Sequence, residues 1–263
     1  MKIVLQKFIA DSGLCSRRKA EQLIKDKKVS VNGQEAELGM KVSGEDKVEV
    51  EKKIIKINNK KIYLKLNKPA GYTCTNKKFK GERNIFELIN LEERLFAIGR
   101  LDKNSRGLVL LTNDGKLTQE LTHPGNEHEK EYITQVRQVA SCKPACPVGR
   151  LQACLSGRQA CLSGRQVTSN NRREISDKLR TIDILREFKR GIDIGEGDGI
   201  ASAKKIEYLG DDKFKIILTQ GKKRQIRRMF GKLGYEVMDL VRIRIDDIKL
   251  GSLEEGKWER ISV

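Results

Sequence analysis

Apolar residues recur along this chain at two spacings, and the alternation between them outlines most of its elements. Leu5, Phe8 and Ile9 share one face of a helix, and Gly13 suits its stop. Ser16 is placed to cap a second helix whose apolar stripe is Ala20, Leu23 and Ile24. Val29-Ser30-Val31 reads as a strand running into an Asn32-Gly33 turn, and Lys47-Val48-Glu49-Val50 alternates as another strand. Residues 51–60 are a polar connector with some strand character. Residues 62–69 form a strand ending at a Pro-Ala-Gly turn, and Leu95 to Ile98 form a shorter one. The continuous apolar run from Leu108 to Leu111 has the length of a strand buried on both faces, and Asn113-Asp114-Gly115 turns the chain after it. Further on come a strand at 131–136, a helix at 175–188 and a strand at 213–218. A helix follows with Ile226, Met229, Phe230 and Leu233 on one face and Gly234 at its stop. Leu240 to Ile245 and Ile248 to Leu250 read as closing strands. Strands and helices mix without a regular β-α-β period, which predicts an α+β fold with a mixed, mostly antiparallel sheet. The pattern divides the chain into a small module at 1–60 and a larger one at 61–263.

Composition narrows the partner. Lys and Arg number 54 against 36 Asp and Glu, a net charge of +18. Residues 1–60 carry 14 basic and 9 acidic residues and the remainder 40 and 27, so both modules are cationic. A surplus of that size favours a polyanion such as a nucleic acid. No run of 18 apolar residues exists, and the first residues lack a signal-peptide core. The six cysteines have no secretory context and read as reduced thiols, so a cytoplasmic protein without membrane contact is expected.

Candidate chemistry concentrates in the run Gly99-Arg100-Leu101-Asp102-Lys103-Asn104-Ser105-Arg106-Gly107, directly before the apolar strand. A lone acid among Arg100, Lys103 and Arg106 is expected to stay ionised below neutral pH, as a carboxylate nucleophile or base must. On these grounds alone a salt-bridged turn before a core strand is the favoured reading of Asp102. Tyr132 in its strand reads as a core aromatic. Lys222, Lys223, Arg224, Arg227 and Arg228 place five cations in seven residues at one helix start, and Arg17, Arg18 and Lys19 crowd the first turn of another. Cations at a helix N-terminus oppose its dipole, which suggests phosphate partners. His123 and His128 lack metal-ligand spacing. Gly195-Glu196-Gly197-Asp198-Gly199 lacks the strand-and-helix frame of a nucleotide loop and reads as a turn. Neither a metal nor a cofactor is expected.

Three segments carry a family resemblance. Gly99 to Gly115, with its Gly-Arg-Leu-Asp core, closely resembles the catalytic motif of the RsuA/RluB/RluF family of pseudouridine synthases. Asn126-Glu127-His128-Glu129-Lys130-Glu131-Tyr132 resembles its second motif, most like the RluF branch, and Gln220 to Phe230 resembles the third. Residues 5–20 and 29–33 resemble the S4 RNA-binding domain. The resemblance implies that Asp102 is the catalytic carboxylate and that Tyr132 packs on the target base. It makes Arg227 the ion-pair partner of Asp102, with Arg224 as the fallback. Arg17, Arg18, Lys19, Arg100, Lys222, Lys223, Arg224 and Arg228 are then the expected RNA contacts. The implied protein is a monomeric isomerase acting on 23S rRNA, with 16S rRNA and tRNA as other substrates. A non-catalytic RNA-binding or ribosome-assembly protein is the alternative, but a pure binder has no need of an acid that repels phosphate. Residues 137–173 depart from the family pattern. They hold seven cations, no acid, four cysteines and a tandem copy of Gln152 to Arg158, and read as a basic insertion.

Overall fold

The computed structural model describes residues 2–57, 60–76, 79–139 and 169–262. The chain divides into two compact units, Met1–Asn126 with Leu250–Val263, and Glu127–Lys249. The cysteine-bearing repeat of the basic insertion lies outside the described residues.

The first unit opens with the small N-terminal module: β1 (Ile3–Val4), α1 (Leu5–Asp11), α2 (Arg17–Lys25), β2 (Val29–Val31), β3 (Gln34–Glu35), β4 (Lys41–Val42), β5 (Val48–Val50) and β6 (Lys53–Ile55). Leu5, Phe8, Ile9, Ala20, Leu23 and Ile24 from the two helices close over Val29, Val31, Val48 and Val50. Helical spacing on one side and period-two spacing on the other therefore meet in a single core. Ser16 caps α2, its hydroxyl accepting from Lys19 N at 3.2 Å. The β2–β3 turn puts Asn32 at φ 53° and Gly33 at φ 84°, the left-handed pair that a two-residue hairpin of this hand requires.

The unit continues with β7 (Tyr63–Lys68), β8 (Phe96–Ile98), β9 (Arg106–Thr112) and α3 (Gly115–Thr122). Within it β9 pairs antiparallel with both β7 and β8. Every residue of β9 from Gly107 to Thr112 is buried, which accounts for its unbroken apolar run. The α3 helix has no buried residue and so leaves no apolar stripe in the sequence; Asp114 starts it by accepting from Lys116 N at 2.9 Å.

The second unit contains β10 (Lys130–Gln138), α4 (Ser169–Arg190), β11 (Ile192–Asp193), β12 (Ile200–Ala201), β13 (Lys205–Gly210), β14 (Lys213–Leu218), α5 (Gln225–Lys232), β15 (Tyr235–Ile245) and β16 (Ile248–Lys249). Its strands run β13–β14–β10–β15–β16, each neighbour antiparallel. Phe188 of α4, Phe214 of β14 and Phe230 of α5 stack at 4.6 and 5.4 Å between ring centres and tie the helices to the sheet. Strand β17 (Trp258–Arg260) returns to the first unit and pairs with β7. The fold is α+β, with antiparallel ladders throughout each unit. Among the described residues no helix is long and apolar enough to cross a membrane.

Candidate active site

Asp102 sits half-buried in the loop between β8 and β9. Its carbonyl accepts from Ser105 N at 3.1 Å, closing a tight turn, and the neighbouring Leu101 and Ser105 are buried. Beneath the turn lies Lys68, the last residue of β7 and fully buried. Its ammonium donates to the carbonyls of Pro69 at 2.9 Å, Lys103 at 3.1 Å and Ser105 at 2.6 Å. Gly71 N also donates to Lys103 O at 2.8 Å. The carboxylate turn is thus held by its own backbone oxygens, which leaves the Asp102 side chain out of the clamp. A buried ammonium is tolerated only when its donors are met, and the carbonyls of this turn meet them.

The cations around Asp102 divide by partner. Lys103 bridges Glu82 at 3.0 Å and Arg106 approaches Glu255 at 3.4 Å, whereas Arg100 is exposed. In the N-terminal module Arg17, Arg18 and Lys19 are all exposed on the first turn of α2. Arg94 donates to Cys15 O at 3.3 Å just ahead of that turn. Burial pushes the Cys15 thiol up against the opposing pull of Arg94 and Lys19, in keeping with a packed rather than a reactive cysteine.

In the second unit Tyr132 is buried on β10, opposite Arg242 of β15 and Ile216 of β14. A bulge between Glu131 and Tyr132 resets the register there. Arg242 is only 1% exposed. Burial, reinforced by the Arg242 charge, holds the Lys130 ammonium below its ordinary range. Glu131, on the opposite face of the strand, is bound by Arg244 Nε at 2.6 Å and Lys215 Nζ at 2.8 Å. Arg244 also reaches Glu129 at 2.9 Å, and His128 Nδ1 meets Asp246 at 2.6 Å. Glu129 and Glu131 are therefore tied by ion pairs to Arg244 of β15.

The basic cluster before and within α5 splits into two groups. Arg224 adopts the left-handed region at φ 52° and starts the helix; it and Lys223 are exposed. Lys222 Nζ donates to the carbonyls of Asp198 at 2.6 Å and Ile200. Arg228 donates to Ile194 O at 2.7 Å, to Gly195 O and to the Asp198 carboxylate. Lys222 and Arg228 thus brace the glycine-rich 194–200 turn. Arg227 is half-buried, its Nη1 donating to Val237 O at 2.8 Å. Among the described residues no group of three His, Cys, Asp or Glu side chains could hold a metal ion.

A family model described as RNA pseudouridylate synthase matches residues 62–232, and an S4 domain model matches residues 5–48. The chain belongs to the RNA pseudouridylate synthase family. Members of this family are isomerases. The dual-specificity RNA pseudouridine synthase RluF of Escherichia coli (strain K12) is 34% identical over 98% of this chain and 75% of its own length. The ribosomal large subunit pseudouridine synthase B of Bacillus subtilis (strain 168) is 32% identical over 96% of this chain and 89% of its own. A solved pseudouridylate synthase structure covers 99% of this chain at a TM-score of 0.61 and 26% identity. The S4 model overlies α1 to β5, and the synthase model runs from just before β7 to the end of α5, so both the Lys68-held turn and the α5 cluster fall within it.

Two buried cations near these segments were not singled out from the sequence. Lys68 occupies the inward parity of β7 after Ile62, Leu64 and Leu66, and a lysine at a core position is the signal that marks it. Arg242 likewise takes an inward position between Leu240 and Ile245.

Proposed function

We propose that this chain isomerises a uridine of 23S rRNA to pseudouridine, with Asp102 as the catalytic carboxylate. The observation that carries the proposal is the clamped turn: the acid of the Gly-Arg-Leu-Asp run projects from a loop whose carbonyls a buried ammonium holds. Such a turn keeps the carboxylate in one place without engaging it, as a reacting group requires. The reaction breaks the N1–C1′ bond, turns the base, forms the C5–C1′ bond, gives the C5 proton to solvent and takes one from solvent at N1. Atoms balance with no oxidant, phosphate donor or metal. Asp102 acts on the ribose as nucleophile or base. Reaching it requires the uridine to leave its stack, a cost of a few kcal/mol that packing on Tyr132 offsets. Arg227 completes the set assigned by the three motifs. Arg100, Lys223 and Arg224, exposed beside these segments, and Arg17, Arg18 and Lys19 of the S4 domain supply phosphate contacts. Lys222 and Arg228 brace the 194–200 turn beside Lys223 and Arg224. The resemblance to large-subunit synthases favours 23S rRNA, acted on by a monomer in the cytoplasm.

Tritium release from C5-labelled 23S rRNA transcript tests the proposal. Wild-type protein is expected to release label, and Asp102→Asn to release none while binding the RNA at least as tightly. No release by the wild-type protein from 23S rRNA, 16S rRNA or tRNA overturns it in favour of a pure RNA binder.

A further inference from the structure

Of the seven phenylalanines in the chain, Phe79 alone is exposed, at 54%. It stands at the tip of the excursion between β7 and β8, the segment that leads from the Lys68 clamp. The neck of this excursion is tied. Thr73 N donates to Arg83 O at 2.9 Å, Ile85 N to Thr73 O at 3.1 Å, and the Asn84 side chain to Thr75 O. At the tip Glu82 N donates to Phe79 O at 3.1 Å, closing a four-residue turn in which Gly81 takes φ 79°. Phe79 is therefore held out on a built turn.

Its surroundings are cationic. Lys80 and Arg83 are exposed, and the Arg83 guanidinium lies 5.8 Å from the centre of the Tyr72 ring. The one acid of the turn, Glu82, is bridged by Lys103, the residue following Asp102. The same Lys103 carbonyl accepts from Gly71 at the base of the excursion. An exposed ring between cations, tied to the carboxylate turn, suits a nucleobase flanked by phosphates: the ring takes the π-face and the cations the backbone.

We infer that Phe79 is a stacking platform for an unpaired base of the substrate RNA, flanking the uridine that reaches Asp102. The inference rests on the function proposed above and adds the element that grips RNA next to the site. It assigns Phe79 to binding and not to chemistry.

The test uses full-length protein and the 23S rRNA transcript, with Phe79→Ala, Phe79→Leu and Phe79→Trp. Loss of one base stack is expected to raise the RNA Kd and KM about tenfold in the Ala and Leu variants, with kcat at saturating RNA within about twofold of wild type. The Trp variant is expected to restore affinity and to show RNA-dependent quenching beyond that of Trp258 in wild type. Wild-type affinity in Phe79→Ala overturns the inference, and wild-type affinity in Phe79→Leu overturns stacking as its basis. Kd is read from filter binding without turnover, so failure of the pseudouridine assay and failure of this inference are separate results.

Discussion

Lys68 shows how one side chain sets the position of another without touching it. Its ammonium lies in the core, where an unmet charge would be intolerable, and its donors go to carbonyls of the turn that carries Asp102. Replacing it with methionine preserves the aliphatic volume and removes the three hydrogen bonds that the ammonium donates. Lys68→Met is expected to lower stability by about 3 kcal/mol, a drop in Tm of roughly 8 °C by calorimetry. In the surviving fold kcat is expected to fall by at least tenfold with RNA Kd little changed. A variant of normal stability and normal kcat would show that the turn holds itself. Asp102 differs in kind, because the role proposed for it lies in the carboxylate rather than in the fold. Its amide variant is accordingly expected to fold normally.

At the scale of elements, charge does on β10 what apolar packing does on β9. Strand β9 is covered on both faces and needs no polar anchor. Strand β10 buries Tyr132 on one face and turns Glu131 to the other, where Arg244 of β15 and Lys215 of β14 bind it from both sides. Burial opposes ionisation of Glu131, but the hydrogen bonds from Lys215 and Arg244 outweigh it and hold the carboxyl below its ordinary value of 4.5. A carboxyl lowered in the folded state adds stability above the unfolded value, and that stability is lost as pH falls through the folded one. Glu131→Gln is therefore expected to cost about 2 kcal/mol at pH 7. The gap between variant and wild type should close as pH drops below 4.5. Urea unfolding at neutral and acidic pH measures both values, and a gap constant with pH would mean that the pair adds packing rather than charge.

For the whole molecule, the net charge of +18 sets the affinity for RNA, and its placement sets which part of that affinity is salt-dependent. Replacing Arg17, Arg18 and Lys19 together with alanine is expected to flatten the plot of log Kd against log salt by roughly 2 to 3. Single-turnover rate at saturating RNA should stay near wild type, and an unchanged slope would place the S4 helix away from phosphate. The elements themselves were largely legible in the sequence. The stripes of α1 and α2, the alternation of β2, β5 and β7, and the apolar run of β9 each bury the face that their spacing indicates. The surface helix α3 was not legible, because it buries nothing. The helix expected from 175 starts at Ser169, since the polar residues ahead of Ile175 add no apolar stripe to the pattern. The motif runs of the sequence also settled the family, since Asp102, Tyr132 and Arg227 are each marked by residues adjacent in the chain. Tertiary structure alone decided which cations are engaged within the fold. Lys222 and Lys223 are neighbours in one basic run, yet Lys222 donates to Asp198 and Ile200 while Lys223 faces solvent. Local spacing records which face an element buries, because that periodicity lies within the element. It carries no record of the carbonyl that a long side chain will meet some twenty residues away, because that meeting exists only once the chain has closed.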